Sequence, residues 1–199
     1  ACETITAAPI PPAVIDGGLA AVGLLTWVLI RKYLDHLPLY RLEQIAARDG
    51  VILSRSTLAD WVGRLGVALQ PLADRLAWHL LQRDSLHADE TPVPQLDPGN
   101  GKTKKAYLWA YRSNDLQAGP KIIVFDYQAG RSGRFAGQFL QNWQGHLIVD
   151  DYGGYKALFA AARAHPETGR QLDPCIELVC WAHARRKFFD QDRTAQYKN

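Results

Sequence analysis

The apolar positions change period part-way along the chain. Over residues 19–34 they recur at helical spacing and finish with Arg31 and Lys32, which predicts a helix closed by basic residues. Pro38 then permits a second helix over residues 39–48, and Asp49-Gly50 breaks it. Ser54 or Ser56 caps a third, on which Leu58, Trp61, Val62 and Leu65 fall on one buried face. After Pro71 an amphipathic stretch with Leu72, Leu76, Leu80 and Leu81 leads into the second half of the chain. There the pattern becomes that of strands, over residues 85–93, 105–112, 121–127, 146–150 and 176–180. One helix at 132–143 fits between the third and fourth, turning Phe135, Phe139 and Leu140 toward a core.

The first two strand connections are short enough for antiparallel hairpins, and Asp97-Pro-Gly-Asn-Gly101 is a strong turn signal. The helix before the fourth strand makes a crossover to a parallel neighbour. Strand, strand, strand, helix, strand, helix, strand is the order of the ribonuclease H-like fold. The expected fold class is therefore an α/β mixed sheet with flanking helices, preceded by a small all-α region. In that order the first and fourth strands are neighbours.

Both of those strands run into carboxylates, at Asp89-Glu90 and at Asp150-Asp151. Converging there, the acids suit a divalent metal and phosphoryl-transfer chemistry. Adjacent strand residues point to opposite faces, so only one acid of each pair can reach a shared point. Apolar residues flank both pairs on either side, and alternation does not choose between them. The plainer alternative is that these acids cap strand ends or accept turn hydrogen bonds.

Elsewhere, helix, glycine turn and helix over residues 39–65 form a helix-turn-helix pattern, which many proteins that never touch DNA also contain. In a DNA reading, Arg55, Ser56 and Thr57 begin the second helix, where base and phosphate contacts are made, and Arg64 adds charge that Asp60 opposes. After the last strand, His183, Arg185, Arg186 and Lys187 suit phosphate contact, since Arg forks bind phosphate oxygens bidentately. The competing reading is a solvated helix start with Trp181, Phe188 and Phe189 in a core. Tyr107, Trp109 and Tyr111 alternate along one strand face, as either core or a base-stacking platform.

Composition narrows the picture without deciding it. With 199 residues, 47% of them apolar, the chain can build one good core or a core plus a small helical module. A net charge of +3 permits nucleic-acid contact without demanding it. Three cysteines, at 2, 175 and 180, make no disulfide framework, fit a reducing, cytoplasmic compartment, and lack the spacing of a zinc site. The most apolar stretch, residues 19–30, falls short of the roughly 20 residues of a spanning helix. The first 16 residues, with Pro9, Pro11 and Pro12, read as an extended linker. A start at Ala1 and a polar end at Asn199 suggest a piece of a longer protein.

Five blocks in order resemble the transposases of insertion sequence 66, which are DDE enzymes with a ribonuclease H-like core. They are Lys32-Tyr-Leu-Asp-His-Leu-Pro-Leu-Tyr40-Arg41, Leu53-Ser-Arg-Ser-Thr-Leu-Ala-Asp-Trp61-Val62, His87-Ala-Asp-Glu-Thr-Pro92, Asp150-Asp-Tyr-Gly-Gly-Tyr155 and Cys180-Trp-Ala-His-Ala-Arg-Arg-Lys-Phe-Phe189. The resemblance implies that Asp89 and Asp150 are the first two catalytic acids and ligands of Mg²⁺ or Mn²⁺. It implies a third acid, a glutamate on a later helix, that no residue here matches, and a zinc module ahead of the linker whose last ligand is Cys2. Residues 17–80 are then the DNA-binding region and 81–199 an incomplete catalytic core. Implied partners are element ends and target DNA, a second copy on DNA and accessory proteins of the same element, in a bacterial cytoplasm. With two of three acids, the chain alone is expected to bind metal weakly and to be inactive. The alternatives are a non-catalytic DNA-binding repressor derived from such an enzyme and a ribonuclease H-like nuclease that does not join strands.

Overall fold

A computed structural model describes residues 13–160, 162–165 and 167–196. Cys2, most of the Pro-rich segment and the side chain of Lys187 lie outside what is described. Contacts group the chain into two compact units, Ala1–Leu72 and Ala73–Asn199.

In the first unit, α1 (Val22–Leu29) continues as one wider π-turn over Ile30–Leu34. The expected helix over 19–34 thus starts three residues later, with Leu19 in solvent. Helix α2 (Leu39–Arg48) follows Pro38 and ends as its sequence demands. Gly50 takes φ +77°, and the N–H groups of Gly50 and Val51 reach back to the carbonyls of Ala47 and Ala46. That is a Schellman closure, which needs a left-handed residue where glycine carries no Cβ penalty. Ser54 caps α3 (Arg55–Leu80), its hydroxyl accepting the N–H of Thr57 at 3.1 Å. Val28, Leu42 and Leu58 bury one small core, and Ile15, Leu25 and Leu65 another. Trp61 packs against both. Helix α3 runs through Pro71 unbroken, although the ring withholds one backbone bond and proline ordinarily disrupts a helix interior.

The second unit is built on β1 (Ser85–Asp97), β2 (Lys102–Ser113), β3 (Ile123–Gln128), α4 (Gly133–Phe139), β4 (His146–Val149) and α5 (Lys156–Ala160). There follow a two-residue hairpin of β5 (Arg163–Ala164) and β6 (Gln171–Leu172), then β7 (Ile176–Val179) and α6 (Trp181–Gln196). Five strands make one mixed sheet in the order β3-β2-β1-β4-β7. The two hairpin pairs are antiparallel, and β1 with β4 and β4 with β7 are parallel. Each expected strand is present.

The period of two sorts the sheet into unlike faces. Leu86, Ala88, Trp109, Tyr111, Leu147 and Val149 are buried in one cluster with Phe135, Ala136 and Leu140 from the α4 segment and Leu158 from α5. Burying Trp109 and Tyr111 rules out the base-stacking platform: these rings belong to the core. On the opposite face Ile123, Phe125 and Tyr127 of β3 are about half exposed. On α6, Trp181, Phe188 and Phe189 are 85%, 72% and 54% exposed, so the competing reading that put them in a core is corrected.

Candidate active site

The register of β1 decides which acid faces which way. Glu90 pairs with Trp109 and Asp89 with Ala110, so Glu90 shares the core face and Asp89 the open one. On β4, Leu147 and Val149 point into the core, so Ile148 and Asp150 share the open face with Asp89. The parallel pairing of His87 with Ile148 sets Asp89 and Asp150 level on neighbouring strands. Both line a cavity of about 230 Å³ with His87, Arg112, Cys180 and His183.

Local backbone bonds orient both carboxylates. Asp89 Oδ1 accepts the N–H of Glu90 at 2.9 Å, and Asp150 Oδ1 accepts that of Tyr152 at 3.0 Å. Each Oδ2 makes no hydrogen bond among the described residues and is left for a ligand. Asp151 is exposed, with Lys156 Nζ 3.8 Å away. Burial, reinforced by Arg112, lowers the pKa of His87 and favours a neutral ring.

Glu90 has the opposite surroundings. Its side chain is fully buried, with Oε1 taking two bonds from Arg131, from Nε at 2.8 Å and Nη2 at 2.6 Å. Oε2 accepts the hydroxyl of Tyr155 at 2.7 Å. Burial pushes the Glu90 carboxyl above its ordinary range, and these bonds hold it down. Burial, together with the donation to Glu90, raises the Tyr155 hydroxyl far above its ordinary range and keeps it protonated.

The turn after Asp150 is fitted closely to α4. A Cβ at Gly133 would collide with the carbonyl oxygen of Gly154. We expect Gly133→Ala to cost about 1–3 kcal/mol by overpacking this contact, read by urea denaturation. Unchanged stability would show that α4 and the turn do not need the close approach.

Of the other sequence candidates, His183 and Arg186 line a larger cavity of about 640 Å³ with Arg131, Asp150 and Tyr152. His183 Nδ1 is buried without a hydrogen bond among the described residues. Arg185 is absent from that lining, and its guanidinium sits 4.8 Å over the Phe189 ring. In the helical unit Arg55 pairs with Glu43 at 3.2 Å and Arg64 with Asp60 at 2.9 Å, while the Ser56 and Thr57 hydroxyls bond to Ser54. Arg55 and Arg64 remain exposed despite those pairings. Sequence reasoning missed Arg131 and the roles of Glu90 and Tyr155; only the Tyr152-x-x-Tyr155 spacing hinted at the last.

Comparison with known proteins gives these residues a context. The family model described as "Transposase IS66 family" matches residues 17–198. Among curated proteins of Sinorhizobium fredii (strain NBRC 101917 / NGR234), "Uncharacterized protein y4qI" is 42% identical over 90% of this chain and 33% of its own length. "Uncharacterized protein y4jD" is 38% identical over 96% of the chain and 37% of its length, and "Uncharacterized protein y4hP" is 31% identical over 95% and 33%. The chain thus spans about a third of the length of the curated relatives it matches. No solved structure matches it. With a family match across nearly its whole length, the chain belongs to the IS66 family of transposases.

Proposed function

We propose that residues 81–199 are part of a ribonuclease H-like catalytic core, and that the intact protein cuts and joins DNA strands at the ends of a mobile element. The observation that carries this reading is the placement of Asp89 and Asp150 on one face of adjacent parallel strands, opening on one cavity. The sheet order β3-β2-β1-β4-β7 supports the fold assignment. Residues 17–80 are the region we assign to element-end DNA, with Arg55, Ser56 and Thr57 exposed or half-buried at the start of α3 and Arg64 exposed further along it.

The donor set fits a hard divalent cation such as Mg²⁺: two carboxylates side by side, each with one oxygen fixed by a backbone N–H and the other open. Asp89 and Asp150 would hold it, and bound there it supplies charge neutralisation and Lewis acidity for phosphoryl transfer. His183 and Arg186 then meet DNA phosphates at the cavity beside Asp150. No group of three or more His, Cys, Asp or Glu able to hold a metal occurs among the described residues. With two carboxylates where the family carries three acids, this chain is expected to bind the ion weakly.

Thermal melting in MnCl₂ tests the reading. At ten times the dissociation constant a single site adds about 1.4 kcal/mol, a rise of about 3–6 °C for a chain of this size. Asp89→Asn and Asp150→Asn are each expected to abolish that rise. Equal Mn²⁺ shifts in the native chain and both variants would remove the site.

A further inference from the structure

Arg131 stands in the short loop between β3 and α4, held from two directions. From the core side, two of its guanidinium donors converge on one oxygen of buried Glu90. From the other, the Tyr152 ring lies 3.9 Å from its Cζ. Tyr152 is itself fixed, since its hydroxyl donates to the Arg131 carbonyl and its N–H to Asp150. One chain of contacts therefore links Asp150, Tyr152, Arg131 and Glu90, the neighbour of Asp89.

A buried ion pair adds little stability over an apolar pair of the same shape, so stability alone is a poor reason for Glu90 to be there. Aiming the arginine is a better one. Three of its five N–H donors, both on Nη1 and the second on Nη2, have no hydrogen bond among the described residues. The side chain is 43% exposed and lines the 640 Å³ cavity with Asp150, His183 and Arg186.

We propose that Arg131 binds a backbone phosphate of DNA, its guanidinium pre-set by Glu90 and Tyr152 beside the two aspartates. The assignment rests on the reading of the chain as a DNA-acting protein. A planar fork fixed in place matches the phosphate oxygens, and holding it before binding removes the ordering cost an unrestrained side chain would carry. Glu90 and Tyr152 are positioning residues here.

The test is fluorescence anisotropy of the full 199-residue chain with a fluorescein-labelled 30-base-pair duplex, between 50 and 200 mM KCl. Each phosphate neutralised by a cationic side chain contributes about 0.9 to the slope of log affinity against log salt. Arg131→Gln is expected to lower that slope by about 0.9 and to weaken binding at 50 mM KCl about tenfold. Arg131→Lys, which keeps the charge and loses the fork, should retain the slope while binding more weakly than native. If Arg131→Gln folds poorly, the double variant Glu90→Gln, Arg131→Gln leaves no buried charge uncompensated and should show the same slope change. Native binding with a slope unmoved in folded variants would overturn this assignment and leave the function standing. A native chain that binds no duplex at 50 mM KCl would overturn both.

Discussion

Asp89→Asn in the intact transposase is expected to lower metal-dependent strand cleavage by about 10³-fold or more while leaving the fold as stable as before. The two halves of that expectation have separate grounds. An amide keeps the oxygen that accepts the Glu90 N–H but loses the negative charge that holds a divalent ion. If the ion contributes several kcal/mol to the transition state, losing about 4 kcal/mol is about a thousandfold in rate. Stability is spared because Asp89 is exposed and its one hydrogen bond among the described residues, to the adjacent Glu90 N–H, is local. Asn also removes repulsion from Asp150 on the adjacent strand, so the metal-free variant should melt at or slightly above the native temperature. A labelled duplex carrying the element end, incubated in Mg²⁺ with native and variant protein, measures the first half; calorimetry measures the second. Cleavage within tenfold of native would remove Asp89 from the site. Asp151→Asn, altering the exposed acid nearer Lys156, should cleave at close to the native rate.

The choice between Asp89 and Glu90 shows how far the sequence could be read. Alternation within β1 left it open, because apolar residues stand on both sides of the pair, Leu86 and Ala88 before it and Pro92 and Val93 after it, at even and odd positions alike. The partner strand holds the answer. Counting back along the hairpin from the pair Asp97 and Lys102 brings Glu90 opposite Trp109, and the large odd-numbered residues of β2 mark the inward face. A tight turn of recognisable residues therefore transmits the burial of one strand to the next. Arg131 had no such route. It occupies an aperiodic Gly-Arg-Ser-Gly loop, and its partner Glu90 is 41 positions away. Such a contact exists only once β1, β3 and α4 are assembled. Pro71 and α6 mark two further limits: tertiary context keeps α3 helical through a residue that ordinarily disrupts a helix, and helical spacing of Trp181, Phe188 and Phe189 does not say which surface, if any, covers them.

The same assembly makes Trp109 the most consequential core position, and Trp109→Ala is expected to destabilise the fold by about 3–5 kcal/mol. The ring is fully buried on β2, between β3 and β1. Its edge-to-face neighbours are Phe135 of α4, centroids 6.5 Å apart, and Tyr155 of the turn after Asp150, at 5.7 Å. Its Nε1–H donates to the carbonyl of Gly130, the residue before Arg131, at 3.4 Å. Truncation thus leaves a large void and withdraws support from Tyr155, which bonds Glu90, and from the loop that carries Arg131. For a chain of this size 3–5 kcal/mol is a fall of about 6–20 °C in melting temperature. Trp109→Phe separates the contributions: it keeps an aromatic body against Tyr155 and loses the bond to Gly130, and should fall well short of the alanine loss. A Trp109→Ala variant melting within about 2 °C of native, a loss under about 1 kcal/mol, would mean that the ring is not packed against both α4 and the turn. The buried side of the sheet would then not be what sets Asp89 and Asp150 toward the open one.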